Sequence, residues 1–191
     1  MSQVVTTRAL DGVRLPTSGL WVIDPAHTAI TAVARHMMVT KVRGRFAGFE
    51  GAIHVDEDPD RIWAEVEIDS ASIDTGNPGR DEHLRSPDFL DAERFPKIRF
   101  RSTELRRTGD DRFELDGELT IRDVTKPVTL DVTYGGVSNT PFGATIVAFS
   151  ASGRLDREDF GMTWNQALET GGVLVSKTLT IELEVQAALQ T

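Results

Sequence analysis

Two histidines and an arginine are the side chains of this sequence that best suit acid–base chemistry or the binding of an anion. His36 lies in a run of alternating apolar residues, and Arg80 and His83 lie three positions apart in a polar segment. If that segment is helical, Arg80 and His83 share one face, and the guanidinium fork of arginine suits a phosphate or carboxylate. A lone histidine on an apolar face is usually a hydrogen-bonded core residue, but a ligand pocket also needs a few placed polar groups. Both roles stay open for His36 and His83.

The sequence shows no catalytic motif and no metal-binding spacing. It contains no G-x-S-x-G nucleophile elbow, no phosphate-binding glycine loop and no zinc motif. The chain has no cysteine, and its 4 histidines are scattered. We therefore predict no catalytic residue, no metal site and no cofactor.

The polar segment is predicted to form a short helical insert near residues 77–92. Asn77 is a preferred N-cap residue, and a proline such as Pro78 suits the first helical position. Ser86 precedes a proline and is biased away from the α region, so the helix should end there. A polar helix inside a chain of strands is where we expect the mouth of a pocket.

Three residues of the insert each allow two roles. Arg80 either contacts a polar headgroup or attaches the insert to the rim of the barrel through ion pairs. The same two roles are open for Asp81. Asp81 lies early in the helix, where acidic side chains are stabilising, so its structural role is favoured. Phe89 either docks the insert or lines the mouth of the pocket.

Alternation of apolar and polar residues dominates the rest of the chain and is typical of strands with one buried face. One such row runs from Ile30 through Ala32, Ala34 and His36 to Met38, and Phe100, Leu119 and Ile121 belong to others. Short turns between the strands indicate antiparallel pairing. A sheet of about eight strands with one face buried from water must close into a barrel or stack as a sandwich. The alternation alone does not decide between these two folds.

Length and charge limit the classes of protein and partner. A chain of 191 residues suits one domain, and a formal charge of −9 disfavours nucleic acid and anionic membranes as partners. The N-terminus has no apolar run long enough for a signal peptide or a membrane span. We expect a cytoplasmic protein without stable membrane insertion. Residues 1–19 form an extension, either an extra edge strand or a loose tail, and residues 20–187 form the main domain.

Several motifs in a fixed order resemble those of the YceI family, also called polyisoprenoid-binding proteins. The resemblance implies an eight-stranded antiparallel, lipocalin-like β-barrel whose cavity holds a long-chain amphiphile such as an isoprenoid. A homodimer is also compatible with this family. The matching motifs are W-x-I-D-x-x-H at 21–27, R-H-M-M-V-x-K-V-R-G-R-F at 35–46, S-I-D-T-G-N-x-x-R-D-x-H-L-R-S-x-D-F-x-D at 72–91, F-P-K-I-x-F at 95–100, G-E-L-T-I-R-D-V-T-K-P-V-T-L at 117–130 and R-x-D-F-G at 157–161.

The row on the second strand departs from the family pattern. The family usually has large apolar side chains there, often phenylalanine at the position of Ala32, and this chain has Ala32 and Ala34. Either a neighbour such as Phe100 or Phe149 fills the space, as close packing demands, or the cavity is wider than usual. Trp164 either caps the end of the barrel or lines the pocket, since an aromatic ring suits an isoprenoid tail.

We predict a non-catalytic carrier that holds a long-chain isoprenoid or acyl lipid inside the barrel. Two alternatives stay open: an enzyme that acts on such a lipid through His36 or His83, and a packed barrel that acts through its surface. The predicted ligand-binding residues are Ile30, Ala32, Ala34, His36, Arg80, His83, Phe89, Phe100, Leu119, Ile121 and Trp164.

Overall fold

The computed structural model describes residues 7–10, 13–169 and 171–190. Within these ranges the chain forms β-strands, one α-helix and short 3₁₀ turns. The elements are β1 (Thr7–Leu10), β2 (Val13–Pro16), β3 (Gly19–Ile23), β4 (Ala29–His36), β5 (Thr40–Phe46), β6 (Phe49–Val55), β7 (Trp63–Asp69), β8 (Ile73–Asp74), α1 (Pro78–Arg85), β9 (Lys97–Arg107), β10 (Arg112–Ile121), β11 (Val124–Asn139), β12 (Thr145–Asp156) and β13 (Thr178–Leu189).

The strands close into an eight-stranded antiparallel barrel, as predicted. Three of the eight are interrupted, so that β3 continues into β4, β5 into β6 and β7 into β8. Strand β13 pairs with β4 along Thr180–Glu184, with β3 along Ala187–Leu189 and with β12 on its other side. These pairings leave one face of every barrel strand toward a common interior.

Two glycines of the second barrel strand permit close approach of its neighbours, which is the role expected of glycine in a curved strand. Gly48 lies between β5 and β6, and a Cβ there would lie 2.6 Å from Oδ2 of Asp69. At Gly51 a Cβ would lie 2.6 Å from the backbone oxygen of Glu65. A larger residue at Gly51 would push the paired strand β7 away, whereas one at Gly48 would displace the Asp69 side chain.

The predicted helical insert is present as α1 and the turns that follow it. The Asn77 side chain accepts a hydrogen bond from the Arg80 backbone N–H at 3.0 Å, Pro78 is the first helical residue, and Ser86 ends the helix in an extended conformation. The last residues of the predicted insert form turns in which Phe89 is buried. In the described part of the chain, no helix combines the length and the apolar character that crossing a membrane requires.

The turn after β4 was not predicted. The alternating row suggested an inward Met38, but β4 ends at His36, and Met37 and Met38 adopt φ angles of 51° and 62°. These left-handed conformations reverse the chain into β5, whose first residue is Thr40. Both methionines therefore lie at an exposed hairpin tip, and the inward row ends at His36, two residues earlier than expected.

The N-terminal strands form a sheet of their own. Strand β1 pairs only with β2 in the described residues, so the extension does not add an edge strand to the barrel. Strand β2 contacts β11 of the barrel. The division of the chain at residue 19 stays a prediction.

Enclosed apolar side chains pack the barrel end away from α1. Trp21, Val147 and Ala187 are fully enclosed there, and the indole N–H of Trp21 donates to the Thr17 backbone oxygen at 3.1 Å. The bonded indole nitrogen removes the cost of burying an unpaired donor. This packed layer leaves the remaining interior open to a ligand.

Candidate ligand-binding cavity

A cavity of about 620 Å³ occupies the interior of the barrel. Strands β3 to β13 all contribute to its wall, and most of the contributed side chains are apolar. The volume falls within the roughly 300–1,000 Å³ that is usual for small-molecule sites. Along β10 the wall runs from Ile121 to Phe113, roughly 26 Å at about 3.3 Å per residue. A site of this length and composition suits an extended apolar chain.

The structure brings all of the predicted ligand-binding residues to this wall. That they contact a ligand stays a prediction. They come from β4, α1, the turn after α1, β9, β10 and the segment after β12, and comprise Ile30, Ala32, Ala34, His36, Arg80, His83, Phe89, Phe100, Leu119, Ile121 and Trp164.

The two alanines of β4 face open space. Ala32 and Ala34 both line the cavity, and so do Phe100 and Phe149, the neighbours that would otherwise fill the gap. The row from Ile30 to His36 therefore faces a cavity, which is evidence against a barrel packed solid with its own side chains.

Arginines of α1 hold the helix against the end of β8. Arg80 donates from Nε to the Thr75 hydroxyl at 2.7 Å and from Nη2 to the Thr75 backbone oxygen at 3.1 Å. Arg85 donates to the backbone oxygens of Ala71 at 2.7 Å and Ile73 at 2.8 Å. The insert is thus held by hydrogen bonds to the strand end, whereas the sequence had suggested ion pairs.

Asp81 completes this attachment. Its side chain is buried, and Oδ1 accepts hydrogen bonds from the Thr75 hydroxyl at 2.6 Å and the Thr75 backbone N–H at 2.9 Å. The bond from the Thr75 hydroxyl is the main reason why the pKa of Asp81 is lowered, and burial acts in the opposite direction. This placement agrees with the structural role favoured for Asp81.

Three rings cover the α1 end of the cavity. The ring of His83 lies edge-on to Phe89 and to Trp164, with centroid distances of 5.1 and 4.6 Å, and Phe89 lies 5.5 Å from Trp164. Edge-to-face contacts at such distances are favourable for aromatic rings. Nε2 of His83 also lies 2.8 Å from Oδ2 of Asp88, which fixes the orientation of the imidazole. We call His83, Phe89 and Trp164 the aromatic cluster.

Arg157 is a cavity residue that the sequence analysis did not select. It follows β12 and lines the wall, yet it is only 1% exposed. Its Nε donates to the Ser176 backbone oxygen at 3.0 Å, Nη1 donates to the Met162 backbone oxygen, and the guanidinium lies 5.7 Å from the Phe89 ring centroid. Burial lowers the pKa of Arg157. The R-x-D-F-G motif at 157–161 was a signal for this residue, but no alternation placed it inside.

The opposite end of the cavity lies near the N-terminal hairpin. Leu15 and Pro16 of β2 line the wall there, together with Pro59 and Ile62 before β7. The cavity thus extends from the aromatic cluster toward the far rim of the barrel.

A closed eight-stranded antiparallel barrel around an apolar cavity defines a lipocalin-like barrel protein. Within that class the chain belongs to the YceI family, because the family described as "YceI-like domain" matches residues 21–187. A similar protein is the UPF0312 protein SA2479 of Staphylococcus aureus, which is 35% identical over 168 residues, covering 87% of this chain and 95% of that protein.

Solved structures share the fold. The Campylobacter jejuni YCEI protein has a TM-score of 0.70 at 28% identity, over 82% of this chain and 90% of its own. Burkholderia cenocepacia BcnA has a TM-score of 0.75 at 22% identity, over 86% and 98%. A Saccharophagus degradans domain, described as a polyisoprenoid binding domain implicated in plant cell wall breakdown, has a TM-score of 0.66 at 12% identity, over 91% and 100%.

Proposed function

We propose that the protein is a non-catalytic carrier that holds a long-chain amphiphile, a polyisoprenoid or similar lipid, inside its barrel. The apolar cavity of about 620 Å³ is the observation that carries this proposal. Its wall offers apolar surface over most of the barrel length and few polar groups. Such a wall favours a ligand that is mostly hydrocarbon.

In this proposal, burial of the ligand's hydrocarbon chain supplies most of the binding affinity. Each methylene removed from water contributes about 0.8 kcal/mol. A chain of several isoprene units therefore binds tightly even after the entropic costs of association. The packed layer around Trp21 and the aromatic cluster limit the length of chain that the barrel encloses.

Membership of the YceI family supports a binding role. The Saccharophagus degradans domain is described as polyisoprenoid-binding, but at 12% identity this likeness concerns the fold. We therefore infer the class of ligand from the residues that line the cavity of this protein. Acyl lipids belong to that class because a saturated hydrocarbon tail would contact the same apolar side chains.

The proposal extends to partners and location. A formal charge of −9 disfavours nucleic acid as a partner. We propose a cytoplasmic carrier without stable membrane insertion that forms a homodimer. Cell fractionation and light scattering test the location and the dimer separately from the binding function.

Extraction of the purified protein tests the binding function. We expect native mass spectrometry to show a mass larger than that of the polypeptide alone, and solvent extraction to release a long-chain lipid. The non-catalytic role predicts that a defined lipid, added and then recovered, is chemically unchanged. A protein that carries no lipid and takes up neither polyprenyl nor acyl probes would contradict the proposal.

A further inference from the structure

A buried guanidinium nitrogen of a cavity-lining residue has no hydrogen-bond partner among the described residues. Nη2 of Arg157 is fully enclosed and has no hydrogen-bond partner among the described residues. The other two guanidinium nitrogens donate to the backbone oxygens of Ser176 and Met162. Arg157 therefore has a structural role through two of its nitrogens, which leaves the N–H groups of the third unexplained.

The acidic residues next to Arg157 in the chain are engaged elsewhere. The Asp156 side chain accepts a hydrogen bond from the Glu158 backbone N–H at 2.9 Å. The Glu158 carboxylate lies 2.8 Å from Nζ of Lys177. Contact with the face of the Phe89 ring compensates part of the buried charge, but it supplies no hydrogen-bond acceptor to Nη2. A buried cation with unpaired N–H groups is costly, and an anion that accepts from those groups removes the cost.

The position of Arg157 distinguishes it from the other arginines of the wall. Arg35, Arg80, Arg107 and Arg154 also line the cavity, but each is exposed to solvent, whereas Arg157 is buried. Phe89 joins Arg157 to the aromatic cluster, because its ring contacts the guanidinium as well as His83 and Trp164.

We propose, resting on the proposed lipid-binding function, that the ligand is an anionic amphiphile whose carboxylate or phosphate accepts a hydrogen bond from Nη2 of Arg157 inside the barrel. The head lies beneath the aromatic cluster, and the chain extends along β10 toward Phe113. Arg80 and His83 are then not the headgroup contacts, because Thr75 and Asp88 already engage them. Arg157 is a specificity-determining residue that selects charged heads over neutral ones.

Matched ligands test this assignment. Farnesoic acid and farnesol share a chain and differ in the head. At about pH 8, where a carboxyl is ionised, we expect wild-type protein to bind farnesoic acid at least about 10-fold more tightly, the effect of one hydrogen bond to a charged group. Farnesyl phosphate, measured in parallel, should also bind more tightly than farnesol.

Two variants locate the selectivity. Arg157→Gln should lose the preference for the acid while its affinity for farnesol stays close to the wild-type value. Arg101→Gln, the same change at an exposed arginine of β9 that pairs with Glu65, should keep the preference. Equal affinities for acid and alcohol in the wild type, or a preference that survives in Arg157→Gln, would overturn the assignment and leave the lipid-binding function standing. If the wild type binds neither ligand, the proposed function fails and the assignment fails with it.

Affinities of the wild-type protein measured over a series of pH values test the assignment even if the Arg157→Gln variant does not fold. Arginine stays charged across the accessible range, so lowering the pH protonates only the bound acid. The preference for farnesoic acid should disappear below the pKa of its carboxyl group, while farnesol binding stays constant. A preference that does not change with pH would overturn the assignment.

Discussion

The carboxylate of Asp81 accepts two hydrogen bonds from Thr75, one from its hydroxyl at 2.6 Å and one from its backbone N–H at 2.9 Å. The Arg80 guanidinium donates to the same Thr75 from two nitrogens. One threonine after β8 thus anchors the helix that lies over the cavity. Because α1 has only eight residues, it is too short to be stable alone in water, and these contacts hold it in place.

Replacing Asp81 with alanine should destabilise the protein. The change leaves the Thr75 backbone N–H and hydroxyl without their acceptor, which costs about 1–3 kcal/mol for buried groups. Urea unfolding measures the difference in the free energy of unfolding. Glu82→Ala, an exposed position on the same helix, should change that free energy by less than about 0.5 kcal/mol. Equal effects of the two substitutions would show that the Thr75 contacts contribute nothing.

Asp81 should also contribute to the pH dependence of stability. The Thr75 hydroxyl holds the pKa of Asp81 below its ordinary value of 3.8. A carboxyl whose pKa is lower in the folded state contributes stability above the unfolded-state pKa, and that stability is lost as the pH falls through the folded-state pKa. Between about pH 5 and pH 2, the free energy of unfolding should therefore fall further for the wild type than for Asp81→Ala. Parallel curves would be inconsistent with a lowered pKa.

Filling the cavity at Ala32 should block the ligand. A phenylalanine ring there would extend from β4 into the space that Phe100 and Phe149 leave open. We expect Ala32→Phe to weaken farnesol binding at least about 10-fold, and to change the free energy of unfolding by less than about 1.5 kcal/mol because the ring enters open space. Fluorescence competition with a polyene probe gives the affinities.

An outward alanine provides the control for the cavity substitution. Ala148 lies on the exposed face of β12, so Ala148→Phe adds the same ring outside the barrel. Its farnesol affinity should equal that of the wild type. Equal losses in both variants would mean that the ligand does not occupy the interior beside Ala32.

Local sequence signals were sufficient for the helix and for most of the cavity wall. The capping residues Asn77 and Ser86 act on their immediate neighbours, and the structure has the helix between them. The alternation from Ile30 to His36 also acts locally, because the pleat of a strand fixes which side chains share a face. The same pattern predicted the faces that Leu119 and Ile121 present.

Contacts between distant segments could not be predicted in this way. Met37 and Met38 adopt left-handed conformations although neither is a residue that favours such a turn, so the apolar pattern appeared to continue. Arg157 is enclosed by backbone oxygens of Ser176 and Met162 and by the ring of Phe89. No local pattern indicates that these three segments meet around a charged side chain.

Nuclear Overhauser effects between unlabelled farnesol and methyl-labelled protein test the central claim most directly, since they report which methyl groups touch the chain. The claim is that the barrel interior holds the hydrocarbon. We predict intermolecular effects at the inward methyl groups of Leu119 and Ile121 and none at the exposed Val39. Effects confined to Val39, or saturable binding with none at Leu119 and Ile121, would contradict a ligand inside the barrel.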